Sequence, residues 1–303
     1  MRRARWSLFV LLLVPLLVVS GWAPSDAVES WRLYDDFEVG PISPTKWSGW
    51  SDEDRFIREM NRTIVVDPSG VGRDLRLMLK AWGDTIDNTG EVLTQVGMTF
   101  AQPSMVTAMR ARVNVRSYSV KSCTANVSST ADANVAIIGS FFNVDQAAKT
   151  PGDFTGDVRA VVAVGASTGS FNDAGAHLYV FGMVFQCNDS TCSWQNRTNL
   201  VPSGSPTTDM FFLGTPVALG SWVRISVQWD EANQQFLFQR GTQTPVAVSY
   251  ASLTPPNPGS PAVVEKNIVT VNNVPNCMPP NAPGTAKMDV LIDAVAVNQN
   301  ALP

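Results

Sequence analysis

The chain has one histidine and four tyrosines in 303 residues, and only 16% of its residues are charged. The lone histidine, His177, excludes a multi-histidine metal centre. It is also not spaced beside the cysteines as a zinc site would require. After residue 19 no stretch reaches the roughly 18 apolar residues of a membrane-spanning helix. Nor does any later stretch hold an apolar 3.6-residue period for three turns, which argues against a helix bundle. The formal net charge is −4. A net negative chain is a poor dedicated nucleic-acid binder, because such affinity rests on neutralising phosphates.

What is present begins with an export signal. Arg2, Arg3 and Arg5 form a positive n-region, and Leu8 to Val19 is an apolar h-region too short for a membrane span. Ser25-Asp26-Ala27 places small residues at the −3 and −1 positions, so cleavage is expected after Ala27. Residues 1–27 then form a signal peptide, and residues 28–303 one domain with no membrane span. Loss of three arginines and Asp26 takes the net charge to −6. The expected location is secreted or extracytoplasmic, in a periplasm or at a cell surface. There the four cysteines are expected to form disulfides. CNDSTC (Cys187 to Cys192) is a turn-like loop that could close on itself, leaving Cys123 with Cys277, although the spacing leaves all three pairings open.

Period two dominates the rest. In Met105 to Arg116, Met109, Ala111, Val113 and Val115 alternate with Arg110, Arg112, Asn114 and Arg116, as in a half-buried strand. Trp222 to Trp229 alternates likewise, and the turn DEANQ joins it to Gln235–Arg240 as a hairpin. Further strands are predicted at 75–82, 94–100, 135–143, 158–164, 177–186, 246–250 and 288–297. One short helix is predicted over 52–61, and a long surface loop over 188–208. Clusters of Gly, Pro, Ser, Asn and Asp separate these segments. The pattern predicts an all-β, antiparallel two-sheet sandwich or barrel.

Three motifs carry a resemblance. YDDFEVG (Tyr34 to Gly40) followed by Lys46-Trp47 resembles the opening of concanavalin A-like lectin/glucanase domains. WVRISVQWDEANQQFLFQ resembles their Trp-containing hairpin, and VLIDAVAVN (Val290 to Asn298) their closing strand. The resemblance implies a jelly roll whose first and last strands lie side by side. It also implies a structural calcium at that seam, for which Asp36 and Asp293 are the candidate ligands and Glu38 a spare. Strand parity puts Asp35 with Leu33 and Phe37, and Asp36 with Tyr34 and Glu38. A simpler role for these acids is to cap loops or accept backbone hydrogen bonds.

The glucanases of this fold carry E-x-D-x-x-E on one strand, flanking the scissile bond with carboxylates. No glutamate of this chain begins that pattern. GASTG (Gly165 to Gly169) matches G-x-S-x-G, but the residues after it, SFNDAGA, read as a hairpin loop rather than the helix a nucleophile elbow requires. The remaining candidates are ligand-binding. Trp47, Trp50, Trp82 and Trp194 lie in polar contexts where a ring could stack on a sugar. Arg110, Arg112 and Arg116 could hold uronates or sulfated sugars through bidentate contacts, or simply form a solvated face with acidic cross-strand partners. His177 and Tyr179 share a strand face, a hint of lyase chemistry. The sequence favours a non-catalytic protein binding a polysaccharide or surface glycan. The alternatives are a polysaccharide lyase or hydrolase of the same fold, or a structural adhesion protein.

Overall fold

The computed structural model describes residues 30–50, 57–84, 91–123, 130–144, 152–169, 177–205, 207–253, 265–279 and 282–298. The predicted signal peptide lies outside them. The strands are β1 (Trp31–Asp35), β2 (Trp47–Trp50), β3 (Ile57–Val66), β4 (Arg73–Trp82), β5 (Glu91–Phe100) and β6 (Ala108–Lys121). Then come β7 (Asp132–Asn143), β8 (Asp157–Ser167), β9 (Tyr179–Cys187), β10 (Arg197–Leu200) and β11 (Phe211–Phe212). The chain ends with β12 (Trp222–Asp230), β13 (Gln235–Arg240), β14 (Val246–Ser249), β15 (Lys266–Pro275) and β16 (Thr285–Asn298).

They form two antiparallel sheets. One runs β14-β13-β12-β6-β16-β4-β3, with β1 also on β16; the other runs β10-β9-β8-β7-β15-β5-β2, with β11 on β9. The predicted all-β jelly-roll sandwich is therefore the fold, and the terminal strands are neighbours: Trp31 pairs with Asn298 and Asp35 with Val295. Alternation explains which side chains meet. Met109, Ala111, Val113 and Val115 of β6 and Ile225 and Val227 of β12 enter the core between the sheets. There they meet Val135 and Ile137 of β7 and Val162 and Val164 of β8. Each such Val, Ile or Met side chain contributes about 1.5–3 kcal/mol on burial. A polar clamp crosses this core: the Asn272 amide of β15 donates to the carbonyls of Leu79 and Ala286, each at 3.1 Å. Gly182 makes room for the ring of Phe211 on the paired strand β11, which a Cβ there would strike.

The hairpin β12–β13 forms as predicted, with Asp230 accepting from Asn233 N and Gln234 at φ 52°. Both disulfides form as the cysteine spacing suggested: Cys187–Cys192 closes the short loop, and Cys123–Cys277 spans 154 positions. Three expectations are corrected. Ile57 to Asn61, predicted as the end of a helix, belong to β3, because they pair with β4; the start of that prediction lies outside the described residues. The predicted loop 188–208 contains β10, which extends the second sheet beyond β9. Parity fails at the opening motif. The register shifts between Leu33 and Asp35 and Phe37 takes φ 58°, so Tyr34, Asp35 and Phe37 are all buried and Leu33 is exposed.

Candidate functional site

The outer face of the first sheet carries most of the predicted ligand-binding residues. Arg110 and Arg112 point outward because their neighbours on β6 point into the core. Arg110 lies over the Trp31 ring, 4.7 Å from its centroid, and Arg112 over Trp222 at 4.9 Å. Arg112 also donates to Asp293 Oδ2 at 3.1 Å. Its cross-strand partner on β12 is Arg224, and Ser226 faces Arg110. Burial, then the charge of Arg224, holds the Arg110 guanidinium below its usual pKa.

Farther along the same face, Trp82 of β4, Thr285 of β16 and Lys121 of β6 stand in one cross-strand row. They line an open pocket of about 610 Å³ with Gly83, Asp84, Ala282 and Pro283. Lys80 Nζ sits 4.8 Å from the Trp82 ring centroid. The floor is tied down from behind, since Asp84 N donates to Asn276 Oδ1 at 2.7 Å and Cys277 N to Asp84 O at 2.9 Å. The Cys123–Cys277 disulfide adjoins these contacts. An aromatic surface beside a few fixed polar groups is the usual composition of a small-ligand site.

The seam between β1, β16 and the β3–β4 turn collects acids. Asp36 accepts from Glu38 N, and Asp293 accepts from Arg112 and from Ala294 N. The two predicted calcium ligands are thus each engaged by the protein. Among the described residues no three His, Cys, Asp or Glu side chains converge on a common point. The sequence reading missed Asp74. It is 3% exposed, and its Oδ2 has no hydrogen-bond partner. Burial, then the charge of Asp67, raises its pKa to about 7, with further contributions from Asp293 and Glu38. Burial likewise raises Asp293, aided by Asp36 and Glu38. An orphaned carboxylate oxygen among other acids is the donor chemistry calcium takes.

The other predicted residues do not join these groups. Trp47 is buried, not a ligand platform: it is 3% exposed, stacks on Phe37 and packs against Phe100. Its indole donates to Asp35 Oδ2 at 2.7 Å, because a buried indole N–H needs an acceptor. Trp50 ends β2 opposite Met98, and its side chain, like that of Trp194, lies outside the described set. His177 is exposed just before β9. Tyr179 is half-buried against Phe212 at 5.2 Å. Tyr179 belongs to the second sheet and His177 leads into it, whereas Arg110 and Arg112 stand on the first. Ser167 of the G-x-S-x-G match is fully buried at the end of β8, where Gly169 N donates to it.

The outer face of the second sheet carries an apolar patch. Ala136, Val161, Ala163, Phe181, Met183 and Val269 form a cluster separate from the main core. The acids of that sheet serve other groups: Asp157 accepts from the Asn143 amide, and Glu265 from Arg159 and Asn267.

No family model matches the sequence, and no curated protein matches it. Among solved structures, the chain is similar to a protein called a β-glucanase from Mycobacterium abscessus, at 12% identity and TM-score 0.42, covering 87% of this chain and 97% of that one. A β-1,3-glucanase from Mycobacterium marinum matches at 13% identity and TM-score 0.37, covering 88% and 99%. Lectin II from Ulex europaeus matches at 9% identity and TM-score 0.29, covering 82% and 98%. Likeness this distant assigns no activity or ligand to the chain.

Proposed function

We propose that this protein is an exported, non-catalytic glycan-binding jelly roll, and that Trp82 is the platform on which a sugar ring stacks. The observation that supports the reading is the row Trp82, Thr285 and Lys121 across three adjacent strands at a 610 Å³ pocket. The ring offers an apolar face, and the hydroxyl and ammonium offer hydrogen bonds to sugar hydroxyls. The two disulfides fit an oxidising compartment. No helix among the described residues is long and apolar enough to cross a membrane.

Affinity electrophoresis against a panel of neutral polysaccharides tests this reading. Retention by at least one polymer, lost in Trp82→Ala without a change in melting temperature, is the expected result. Retention unaffected by Trp82→Ala sinks the platform. Release of reducing ends or of unsaturated sugars would transfer the protein to the enzyme class.

A structural calcium at the acidic seam is the second part of the proposal, with Asp74 and Asp293 as its carboxylate donors and backbone carbonyls and water completing the shell. The orphaned Oδ2 of Asp74 supports it. Asp36 adds its charge to the field at Asp293.

A further inference from the structure

The guanidiniums of Arg110, Arg112 and Arg224 form a group that the fold leaves electrostatically unsaturated. Arg112 and Arg224 are direct cross-strand partners, a relation in which like charges destabilise a sheet. The charge of Arg224 also acts on Arg110. The acidic supply is uneven. Asp293 pairs with Arg112, and Asp67 feels Arg112 through space. Among the described residues, neither Arg110 nor Arg224 has an ion-pair or side-chain hydrogen-bond partner. Yet the chain as a whole is net negative, so cations could have been matched with acids here at little cost.

The tryptophans fix how these groups present themselves. Trp31 reaches Arg110 from β1 across β16, where Ala296 is small enough to let the ring pass; Trp222 covers Arg112 from β12. A ring on the guanidinium plane leaves the in-plane N–H groups pointing past its edge. That fork matches the two oxygens of a carboxylate or sulfate. Arg110 and Arg112 are two positions apart on one strand, about 7 Å, and Arg224 lies one strand away, about 5 Å. Such a triangle suits several anionic groups on one extended chain better than a single small anion.

We propose that this arginine–tryptophan ladder binds an acidic polysaccharide, one bearing carboxylate or sulfate groups. The site lies apart from the Trp82 pocket and does not depend on that reading. A phosphate polymer offers oxygens of similar geometry, and the DNA and vesicle arms of the test below separate it from the polysaccharides.

The test is binding of the full chain to polygalacturonate, heparin, an uncharged β-1,3-glucan, single-stranded DNA and anionic phospholipid vesicles. Arg110→Gln and Arg224→Gln should each weaken binding to the acidic polysaccharides by about tenfold, and raised salt should weaken the wild type. Arg110→Lys, which keeps the charge and loses the fork, should also weaken binding. Arg224→Gln has no partner to lose, so its melting temperature should match or exceed that of the wild type and loss of fold will not mimic loss of binding. The losses in Arg110→Gln and Arg224→Gln should be absent from binding to the uncharged β-1,3-glucan, and equal losses on both kinds of polymer overturn the proposal. Binding of polygalacturonate alone or heparin alone supports the proposal and identifies the anionic group. Wild-type affinity in the Arg110→Gln/Arg224→Gln double variant overturns it. So does binding of DNA or vesicles as tight as that of the polysaccharides.

Discussion

The Trp47 indole donates a 2.7 Å hydrogen bond to Asp35 Oδ2 in the buried angle between the two sheets. Lys46 Nζ and Phe37 N donate to Oδ1 at 3.2 Å each, so the carboxylate is satisfied on both oxygens. The acid beside the aromatic in YDDFEVG is therefore a peg that fixes where the first strand ends and the second begins. Trp47→Phe keeps the ring packing but removes one donor from a buried charge, and is expected to cost about 2–3 kcal/mol. Urea denaturation measures it. A cost near zero would show that the bond contributes nothing net.

Asp74 sets a pH dependence. Its folded pKa, about 7, lies above its ordinary value. The fold therefore favours the protonated form. Stability from this residue is complete at low pH, falls as pH rises above the ordinary carboxylate value, and is lowest above about 7. In the absence of calcium, Asp74→Asn should raise stability at pH 8 by about 1–2 kcal/mol and change it little at pH 4.5. Equal effects at both pH values would contradict the assignment.

Calcium should reverse that penalty. Thermal melts of the wild type at pH 7.5, with added calcium and with a chelator, are expected to differ by several degrees, and Asp74→Asn should abolish the difference. Coincident melts would remove calcium from the seam and leave the acids as structural groups alone.

The two disulfides should differ in worth. Cys123–Cys277 closes a loop of 154 positions and Cys187–Cys192 one of 5. In the chain-entropy model the first contributes about 5 kcal/mol and the second about 2. Alanine pairs at each site, compared by denaturant titration, should rank in that order. A reversed order would place the value of the short loop in its local contacts, where Arg197 donates to Cys192 O and Asp189 accepts from Thr191 and Ser193.

Strands with one face in the core and one in solvent were legible in the sequence, because apolar and polar residues alternate along them. β6, β12 and β13 are of this kind. β15 was not legible. Its KNIVTVNNVP holds three asparagines and a proline, which read as turn chemistry, whereas Asn272 points inward and bridges the sheets. Trp47 misled for the opposite reason: its polar chain neighbours hide a ring that the fold turns inward. The outward pointing of Arg110 and Arg112 was readable from parity. The companions Arg224 and Trp222 stood in the alternating hairpin strand as a visible signal. Trp31 was not visible, since it reaches Arg110 only through the pairing of β1 with β16. The failure at Asp35 and Asp36 is conformational, because period two cannot register the left-handed turn at Phe37.

Because Trp31 lies opposite Asn298 on antiparallel neighbours, a force pulling the two ends apart acts across the ladder rather than along it. The bonds between β1 and β16 would then be loaded one pair at a time, so β1 would peel away first, while β16 stays held by β6 and β4 on either side.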